Sequence, residues 1–314
     1  MRRLDQARFL GWAAALSLLA APLEAETRPV ATFGASVEVV NLDVSVTDPK
    51  GHHLNDIGTG DLLVFEDGVQ QQVCLFTRDH LPISLLILID GSASMEANLV
   101  TTRGAAIRLV RTLGTGDEVG VAVFNRHFRL VQDFTSDLTA AEEAISQIEA
   151  EGETSLYNAI YLSLKDLAAL PKDAELRRRA IVVLTDGEDT TSLLRDEDVL
   201  ELARRAGVAV YTIGLRDARR PEISPVPVFF LTALARETGG RAYFPASLAA
   251  LEGTYDRIAG ELRTLYGLGY VSSNPRQDGG WRRITVRSLL GNLLLRYRPG
   301  YYAPRKGRLG GDSR

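Results

Sequence analysis

The sequence predicts an α/β fold in which a doubly wound, mostly parallel sheet is inserted in, or flanked by, a small β-sandwich. Two nearly continuous apolar runs, Ile83–Ile89 and Ala180–Leu184, are typical of central parallel strands that are buried on both faces. Segments with helical spacing of their apolar residues alternate with these strands. Residues 35–80 and 266–303 instead show the two-residue alternation of half-buried strands.

The sequence of residues 1–25 is typical of an export signal. Three arginines near the start precede the apolar run Phe9–Ala21, which has the length of a signal-peptide core and is too short for an ordinary membrane span. Ala25 is a small residue at a suitable cleavage point. We therefore expect an exported protein, either periplasmic or secreted. In the alternative interpretation, this segment stays uncleaved and is the chain's one attachment to a membrane.

The flanking segment 35–80 predicts three strands with alternating apolar and polar side chains. Asp67-Gly68, between the second and third strands, is a strong signal for a tight hairpin. Three such strands leave an open edge, so the segment requires something else to pack on. The predicted strands are Val40–Val46, Leu62–Glu66 and Val69–Phe76.

The central segment, residues 81–265, alternates strands with helices, and right-handed crossovers are expected to join its parallel strands. Its proline-rich stretch Pro221–Pro227 predicts a mobile loop. The predicted strands are Ile83–Ile89, Val119–Phe124, Phe128–Val131, Ala180–Leu184, Val208–Leu215 and Arg241–Phe244. The predicted helices lie around 99–113, 138–148, 155–167, 196–206 and 248–265.

The C-terminal segment, residues 266–303, returns to alternating strands, and we predict that it packs with residues 35–80 into one sandwich. Neither segment alone has enough strands to close a core. In the alternative interpretation, the two segments dock separately on the central domain. The tail, residues 304–314, is rich in glycine and arginine and is predicted to be disordered.

Composition excludes some classes of function. The net charge of −4 argues against a nucleic-acid partner, because nucleic-acid binders usually carry a basic surface. The single cysteine, Cys74, excludes a disulfide within the chain and is expected to be a small buried residue. The four histidines show no zinc spacing, and His52-His53 is expected to be a solvated turn. The run Arg177–Arg179 also predicts a solvated turn.

Oxygen-bearing side chains follow both of the continuous apolar strands. Asp90, Ser92 and Ser94 come after the first strand, and Asp186 comes after the second. Thr154 stands before a predicted helix between them. Ligands of open α/β sheets bind outside the carboxyl ends of the strands, where the strand order reverses. Hydroxyls and carboxylates are the ligands of hard divalent cations, so the sequence predicts a metal site there.

A cation held by these ligands is expected to keep a position at which it can bind an anionic group. Two serine hydroxyls and few carboxylates leave the charge of the cation only partly neutralised, so it attracts an anion. We expect Mg²⁺ or Mn²⁺, because Mg²⁺ retains waters that a foreign ligand can displace. The expected partner is a protein that presents an Asp or Glu to the metal.

The pattern resembles the metal-ion-dependent adhesion site of the von Willebrand factor A family, which is D-x-S-x-S, a later Thr, and an Asp followed by Gly. Asp90, Ser92, Ser94, Thr154 and Asp186 match it in order. The resemblance implies that the serines and Thr154 are direct or near-direct ligands, and that the two aspartates act largely through water. It also implies a binding protein rather than an enzyme.

Nearly the whole chain after the signal looks like a bacterial family of von Willebrand factor A-related proteins first recognised in Acidobacteria. Gly58 departs from it, because that family more often has Leu at the position. The segments that carry the similarity are 61–68, 72–76, 265–270, 281–284 and 298–303, together with Asn274.

Two other functions remain open at this point. A structural or assembly subunit of an envelope complex could use the metal only to stabilise its fold. A metal-dependent hydrolase is disfavoured, because no D-x-D starts a haloacid-dehalogenase-like site and the chain has no G-x-S-x-G or P-loop motif. Glu188 and Asp189 are predicted to form the exposed rim of the site, although they could also join the metal ligands.

Overall fold

A computed structural model describes residues 39–78, 81–170, 177–186, 189–215, 225–247 and 249–305. Its strands are β1 (Val39–Thr47), β2 (Leu62–Glu66), β3 (Val69–Gln71), β4 (Val73–Thr77), β5 (Ile83–Asp90), β6 (Glu118–Phe124), β7 (Phe128–Thr135), β8 (Arg178–Thr185), β9 (Ala209–Gly214), β10 (Ala242–Tyr243), β11 (Tyr266–Val271), β12 (Trp281–Ser288), β13 (Leu294–Arg296) and β14 (Gly300–Tyr302). Its helices are α1 (Leu99–Arg111), α2 (Leu138–Ser146), α3 (Leu156–Ala169), α4 (Asp196–Ala206), α5 (Pro225–Thr238) and α6 (Ala249–Thr264).

The predicted α/β fold is confirmed by a six-stranded sheet in the order β10-β9-β8-β5-β6-β7. All neighbours are parallel except β7, which is antiparallel to β6. Every residue of β5 is buried, as its continuous apolar sequence predicts. Helices α1, α2 and α6 cover one face, and α3, α4 and α5 cover the other. The strand order reverses between β5 and β8, so their carboxyl ends flank a crevice.

Two antiparallel sheets flank this α/β unit, in the orders β13-β1-β11-β4 and β14-β12-β2-β3. Each sheet combines strands from both ends of the chain, and the two sheets share one apolar core that includes Val44, Val64, Leu268 and Ile284. The two flanking segments therefore interleave in one sandwich. The described residues between 39 and 305 belong to one compact unit.

Three predictions concern the ends of the chain. The signal segment, residues 1–25, lies outside the described residues. Within the described ranges, no helix has both the length and the apolar character that crossing a membrane requires. Pro304 and Arg305 belong to the sandwich rather than the predicted tail, since Pro304 accepts a bond from Gly279 and Arg305 pairs with Asp278. The rest of that tail, 306–314, lies outside the described residues.

Helix α5 was not predicted, and its first turn contains Pro225 and Pro227 of the stretch that we expected to be a loop. Prolines are well tolerated in the first turn of a helix, whose amide groups have no partner within the helix. Residues 221–224 lie outside the described residues.

The predicted strand Val69–Phe76 is two strands in different sheets. It breaks at Gln72, so that β3 pairs with β2 in one sheet and β4 pairs with β11 in the other. Strands that switch sheets form the corners of sandwiches. Cys74 is consequently exposed on an edge strand, which makes the expectation of a buried cysteine wrong.

Two predicted solvated turns are each wrong at one residue, whereas His52 is exposed as predicted. Arg178 is buried in β8, where its Nε donates to Asp43 Oδ1 (2.9 Å) and its Nη2 to the carbonyl of Leu265 (2.8 Å). His53 is half-buried and pairs with Thr47 as an isolated bridge. Burial is the main cause that lowers the pKa of His53. The charged side chain of Arg178 thus joins β8 of the central sheet to β1 of the sandwich.

Candidate metal centre

Asp90 is the last residue of β5 and has no exposed surface. Its Oδ1 accepts the backbone amide of Ser92 (2.9 Å), and its Oδ2 accepts the hydroxyl of Thr185 (2.6 Å). One bond fixes the carboxylate to its own loop, and the other fixes it to the end of β8. The two strands on either side of the crevice are therefore joined through this side chain.

The loop after Asp90 turns sharply against its neighbours. Gly91 donates its amide to the carbonyl of Phe124 (2.7 Å) at the end of β6. A Cβ atom at Gly91 would lie 2.7 Å from Cγ2 of Val123, a distance at which atoms overlap. Glycine is therefore required for the close approach of this loop to β6.

The two predicted serine ligands lie together. Ser92 begins a short 3-10 turn, Ala93–Met95, which reverses the chain so that Ser92 Oγ and Ser94 Oγ are 3.0 Å apart. Ser92 is buried and Ser94 is exposed. The pair of hydroxyls thus extends from the buried carboxylate of Asp90 to the protein surface.

The segment that carries Thr154 is attached to the same loop. Glu151 donates its amide to the carbonyl of Gly91 (2.7 Å), and Ala93 donates its amide to the carbonyl of Gly152 (3.0 Å). Gly152 has a φ of +73°, a conformation that favours glycine. Thr154 follows two residues later and is itself buried.

Asp186 follows β8 directly and is half-buried. Two causes raise the pKa of Asp90 to about 7: burial is the larger, and the charge of Asp186 is the second. The hydrogen bonds from Ser92 and Thr185 act to lower this pKa. The negative charge of Asp186 therefore acts on the buried carboxylate of Asp90. A cation between or beside them would offset this repulsion.

The residues present fit a hard divalent cation. Two neighbouring carboxylates, a pair of serine hydroxyls and the threonine segment supply oxygen atoms, which Mg²⁺ and Mn²⁺ prefer. Among the described residues, no group of three or more His, Cys, Asp and Glu could hold a metal ion. A cation here would consequently depend on the hydroxyls of Ser92, Ser94 and Thr154.

The two predicted rim residues have different outcomes. Glu188 lies outside the described residues. Asp189 accepts the amide of Tyr157 at Oδ2 (2.9 Å) and that of Ser192 at Oδ1 (3.0 Å). The bond from Tyr157 fastens the loop after β8 to the first turn of α3, and the bond from Ser192 closes a turn within that loop.

Sequence reasoning did not assign roles to the threonines that surround the site. The amides of Thr190 and Thr191 both donate to the carbonyl of Thr154 (2.9 and 3.1 Å), and the Thr154 amide donates to Thr190 Oγ1 (3.0 Å). Thr185 is adjacent to the recognised Asp186, which is the one signal that could have identified it. These contacts connect distant loops, and no spacing in the sequence predicts them.

The fold is similar to that of several solved structures. The von Willebrand factor type A domain from Catenulispora acidiphila is 12% identical with a TM-score of 0.50, and the match covers 87% of this chain and 76% of that one. An aerotolerance-related membrane protein from Bacteroides fragilis is 21% identical with a TM-score of 0.46, over 57% of this chain and 98% of that one. The vWF domain of the type V pili tip protein Mfa5 from Porphyromonas gingivalis is 12% identical with a TM-score of 0.47, over 58% and 95%.

No curated protein matches the sequence at a significant level. The resemblance to the bacterial subfamily therefore stays a prediction. The model of the von Willebrand factor type A domain matches residues 84–257, which is more than half of the chain. The chain belongs to the von Willebrand factor type A domain family.

Proposed function

We propose that this chain is an exported binding protein that holds one Mg²⁺ or Mn²⁺ and uses it to bind an acidic group of a protein partner. The observation that supports this most directly is the buried carboxylate of Asp90, which accepts the backbone amide of Ser92 and is acted on by the charge of Asp186. The hydroxyls of Ser92 and Ser94 lie 3.0 Å apart in the same loop. In this proposal Asp90, Ser92, Ser94, Thr154 and Asp186 hold the cation. The bound cation supplies a positive charge for a carboxylate.

The exposure of Ser94 favours a partner from outside over a metal that only stabilises the fold. A structural cation is usually enclosed by protein ligands, whereas a binding cation needs a coordination position that a partner can reach. Ser94 lies at the surface, while Asp90 and Ser92 are buried. Under this proposal the cation has protein on one side and solvent on the other. The protein is not an enzyme in this scheme, because binding requires no bond to break.

Calorimetric titration with Mg²⁺ and with Mn²⁺ tests the metal site. We expect binding by the natural protein, none by Asp90→Ala, and at least about tenfold weaker binding by Ser94→Ala, which loses one ligand. Ser94 is exposed, so its replacement leaves the fold intact. Asp133→Ala on the exposed face of β7 is the control and should bind normally. Full affinity in Asp90→Ala would overturn the assignment.

Capture of the partner tests the role of the metal. Crosslinking in cell envelopes, with Mg²⁺ or with EDTA, should recover a partner only in Mg²⁺ and only with Ser94 present. A partner recovered equally in EDTA would favour the assembly role, with a metal that stabilises the fold.

Export is proposed from the sequence of residues 1–25 and is tested separately. N-terminal sequencing of the protein from the periplasm or medium should begin after Ala25. A chain that begins at Met1 and stays in the membrane fraction would indicate an uncleaved anchor instead.

A further inference from the structure

Two of the most exposed apolar side chains of the described residues lie near the candidate metal centre. Leu193 is 93% exposed and Phe229 is 74% exposed. Single exposed apolar residues are common on protein surfaces, so exposure alone carries no functional meaning. Their position relative to Thr154 is what distinguishes these two.

Leu193 is held in place beside the segment that carries Thr154. Two residues before it, the amide of Thr191 donates to the carbonyl of Thr154 (3.1 Å). One residue after it, the amide of Leu194 donates to Asn158 Oδ1 (3.2 Å). Leu193 therefore projects from a loop that is fastened at both ends, and little entropy would be lost when a partner contacts it.

Phe229 is connected to the same segment through two aromatic rings. The ring of Tyr157, in the first turn of α3, packs edge-on against Phe230 with centroids 4.7 Å apart. Tyr157 is only half-buried, and Phe229 is the exposed residue that precedes Phe230 in α5. Leu193 and Tyr157 thus both border the first turn of α3, and Phe229 neighbours the residue that packs on Tyr157.

Acidic side chains follow Leu193 in the chain. The amide of Leu194 is held by Asn158 of α3 (3.2 Å), and the first turn of α4, which contains Asp196 and Glu197, begins two residues later. The charges of both residues act to raise the pKa of Tyr157, after burial as the main cause. The carboxylate of Asp189 is occupied by backbone amides, but Glu197 is exposed in the first turn of α4. Arg195, the basic residue before this turn, pairs with Asp198 (3.7 Å) and not with Glu197.

We propose that Tyr157, Leu193, Phe229, Asp196 and Glu197 form an accessory surface that reads the residues beside the acidic group of the partner. The partner would be an extended segment with an acidic residue, a neighbouring apolar residue, and a Lys or Arg beyond it. The cation would bind the acidic group, the three apolar side chains would bind the apolar residue, and the carboxylates would bind the basic group. This inference rests on the proposed function and adds the chemistry of its partner.

A library of acetylated hexapeptides, each with one fixed Asp and all residue types at the other positions, tests this surface. The full chain is immobilised in Mg²⁺, and the retained peptides are sequenced. We expect enrichment of apolar residues within about three positions of Asp, and of Lys or Arg on the far side. For individual peptides, Leu193→Ser should weaken binding about tenfold, the loss that corresponds to one buried leucine. Glu197→Lys should remove the preference for basic residues.

Matched control variants separate this inference from general effects. Leu289→Ser replaces another exposed leucine (63% exposed) in the sandwich, and Glu143→Lys replaces an exposed acid on α2, across the sheet. Both should bind peptides as the natural protein does. Calorimetry with Mg²⁺ should give the same affinity for Leu193→Ser, Glu197→Lys and the natural protein.

Three results would overturn the inference. Mg²⁺-dependent retention of Asp peptides with no preference at neighbouring positions would refute the accessory surface and leave the proposed function standing. Equal losses in Leu193→Ser and Leu289→Ser would also refute it. Normal Mg²⁺ binding without retention of any Asp peptide would refute the accessory surface together with the acidic partner, while absence of Mg²⁺ binding would refute the metal centre itself.

Discussion

The hydroxyl of Thr185 has no exposed surface and donates to Asp90 Oδ2 over 2.6 Å. Such a bond fixes the direction of a carboxylate that must face a cation. Residues that orient metal ligands in this way commonly change metal affinity tenfold or more when they are replaced. Thr185 is therefore a positioning residue in the proposed site, although it is none of the five predicted ligands.

Replacement of Thr185 with Val tests this role. Valine keeps the branched shape and removes the hydroxyl, so we expect Mg²⁺ affinity to fall by about tenfold. Calorimetry measures the affinity, and thermal unfolding measures stability in parallel. Thr212→Val is the matched control, because Thr212 is equally buried in neighbouring β9 and bonds the carbonyl of Leu231 instead. Equal losses of affinity in the two variants would show that the effect is general.

At the scale of residues, the sequence identified candidate ligands better than their supports. Asp90, Ser92 and Ser94 form a local motif, and their proximity in space follows from a short turn. The contacts of Thr190 with Thr154 join residues that are far apart in the chain. They depend on how two loops meet, which local spacing does not encode.

At the scale of elements, errors arose where a local pattern had two interpretations. In α5, prolines in the first turn made a helix look like a loop, because Pro is excluded from helix interiors but accepted at helix starts. In β3 and β4, a continuous alternating run concealed a change of sheet at Gln72. Long apolar strands such as β5 and β8 were predicted correctly, since burial on both faces leaves few alternatives.

Arg178 joins β8 to the sandwich, and its removal should destabilise the protein. Arg178→Met leaves the carbonyl of Leu265 without this bond in a buried position and breaks the pair with Asp43. We expect a loss of about 2–3 kcal/mol in the free energy of unfolding, measured with urea. Arg287→Met, at an exposed arginine in β12, should change it by less than about 1 kcal/mol. A loss no larger than this control would contradict the role of Arg178.

His53 should make stability depend on pH. Burial first, and then Arg241 and Arg296, lower its pKa, whereas Glu261 acts to raise it. In acid, the unfolded chain therefore binds a proton at this residue that the folded protein does not. Its contribution is complete above the unfolded pKa of about 6.5 and is lost as the pH falls through the lower folded value.

Urea unfolding between pH 5 and 7.5 measures this contribution. The natural protein should lose stability toward acid pH more steeply than His53→Gln, because the other titrating groups are common to both. His52→Gln, at the exposed neighbouring position, should keep the steeper dependence. Identical pH dependence in the natural protein and His53→Gln would show that His53 contributes nothing.

At the scale of the whole molecule, buried charges fix the sandwich against the α/β unit. Arg296 of β13 forms an ion pair with buried Glu261 of α6 and also donates to the carbonyl of Gly239. Arg178 makes the corresponding connection from β8 to β1. These ion pairs and the hydrogen bonds to the carbonyls of Leu265 and Gly239 have to break before the two layers can separate. We therefore expect the sandwich and the α/β unit to unfold together.

Cation binding provides a test of this cooperativity through the two tryptophans of the chain, Trp12 and Trp281. In a Trp12→Phe protein, fluorescence reports on β12 of the sandwich, while circular dichroism at 222 nm reports mainly on the helices. One cooperative transition predicts the same Tm for both signals. Saturating Mg²⁺ stabilises only the folded state, so it should raise both Tm values equally even though its proposed ligands lie outside the sandwich. An increase confined to the helical signal would show that the layers unfold independently, and the interlayer ion pairs would then have no role in coupling them.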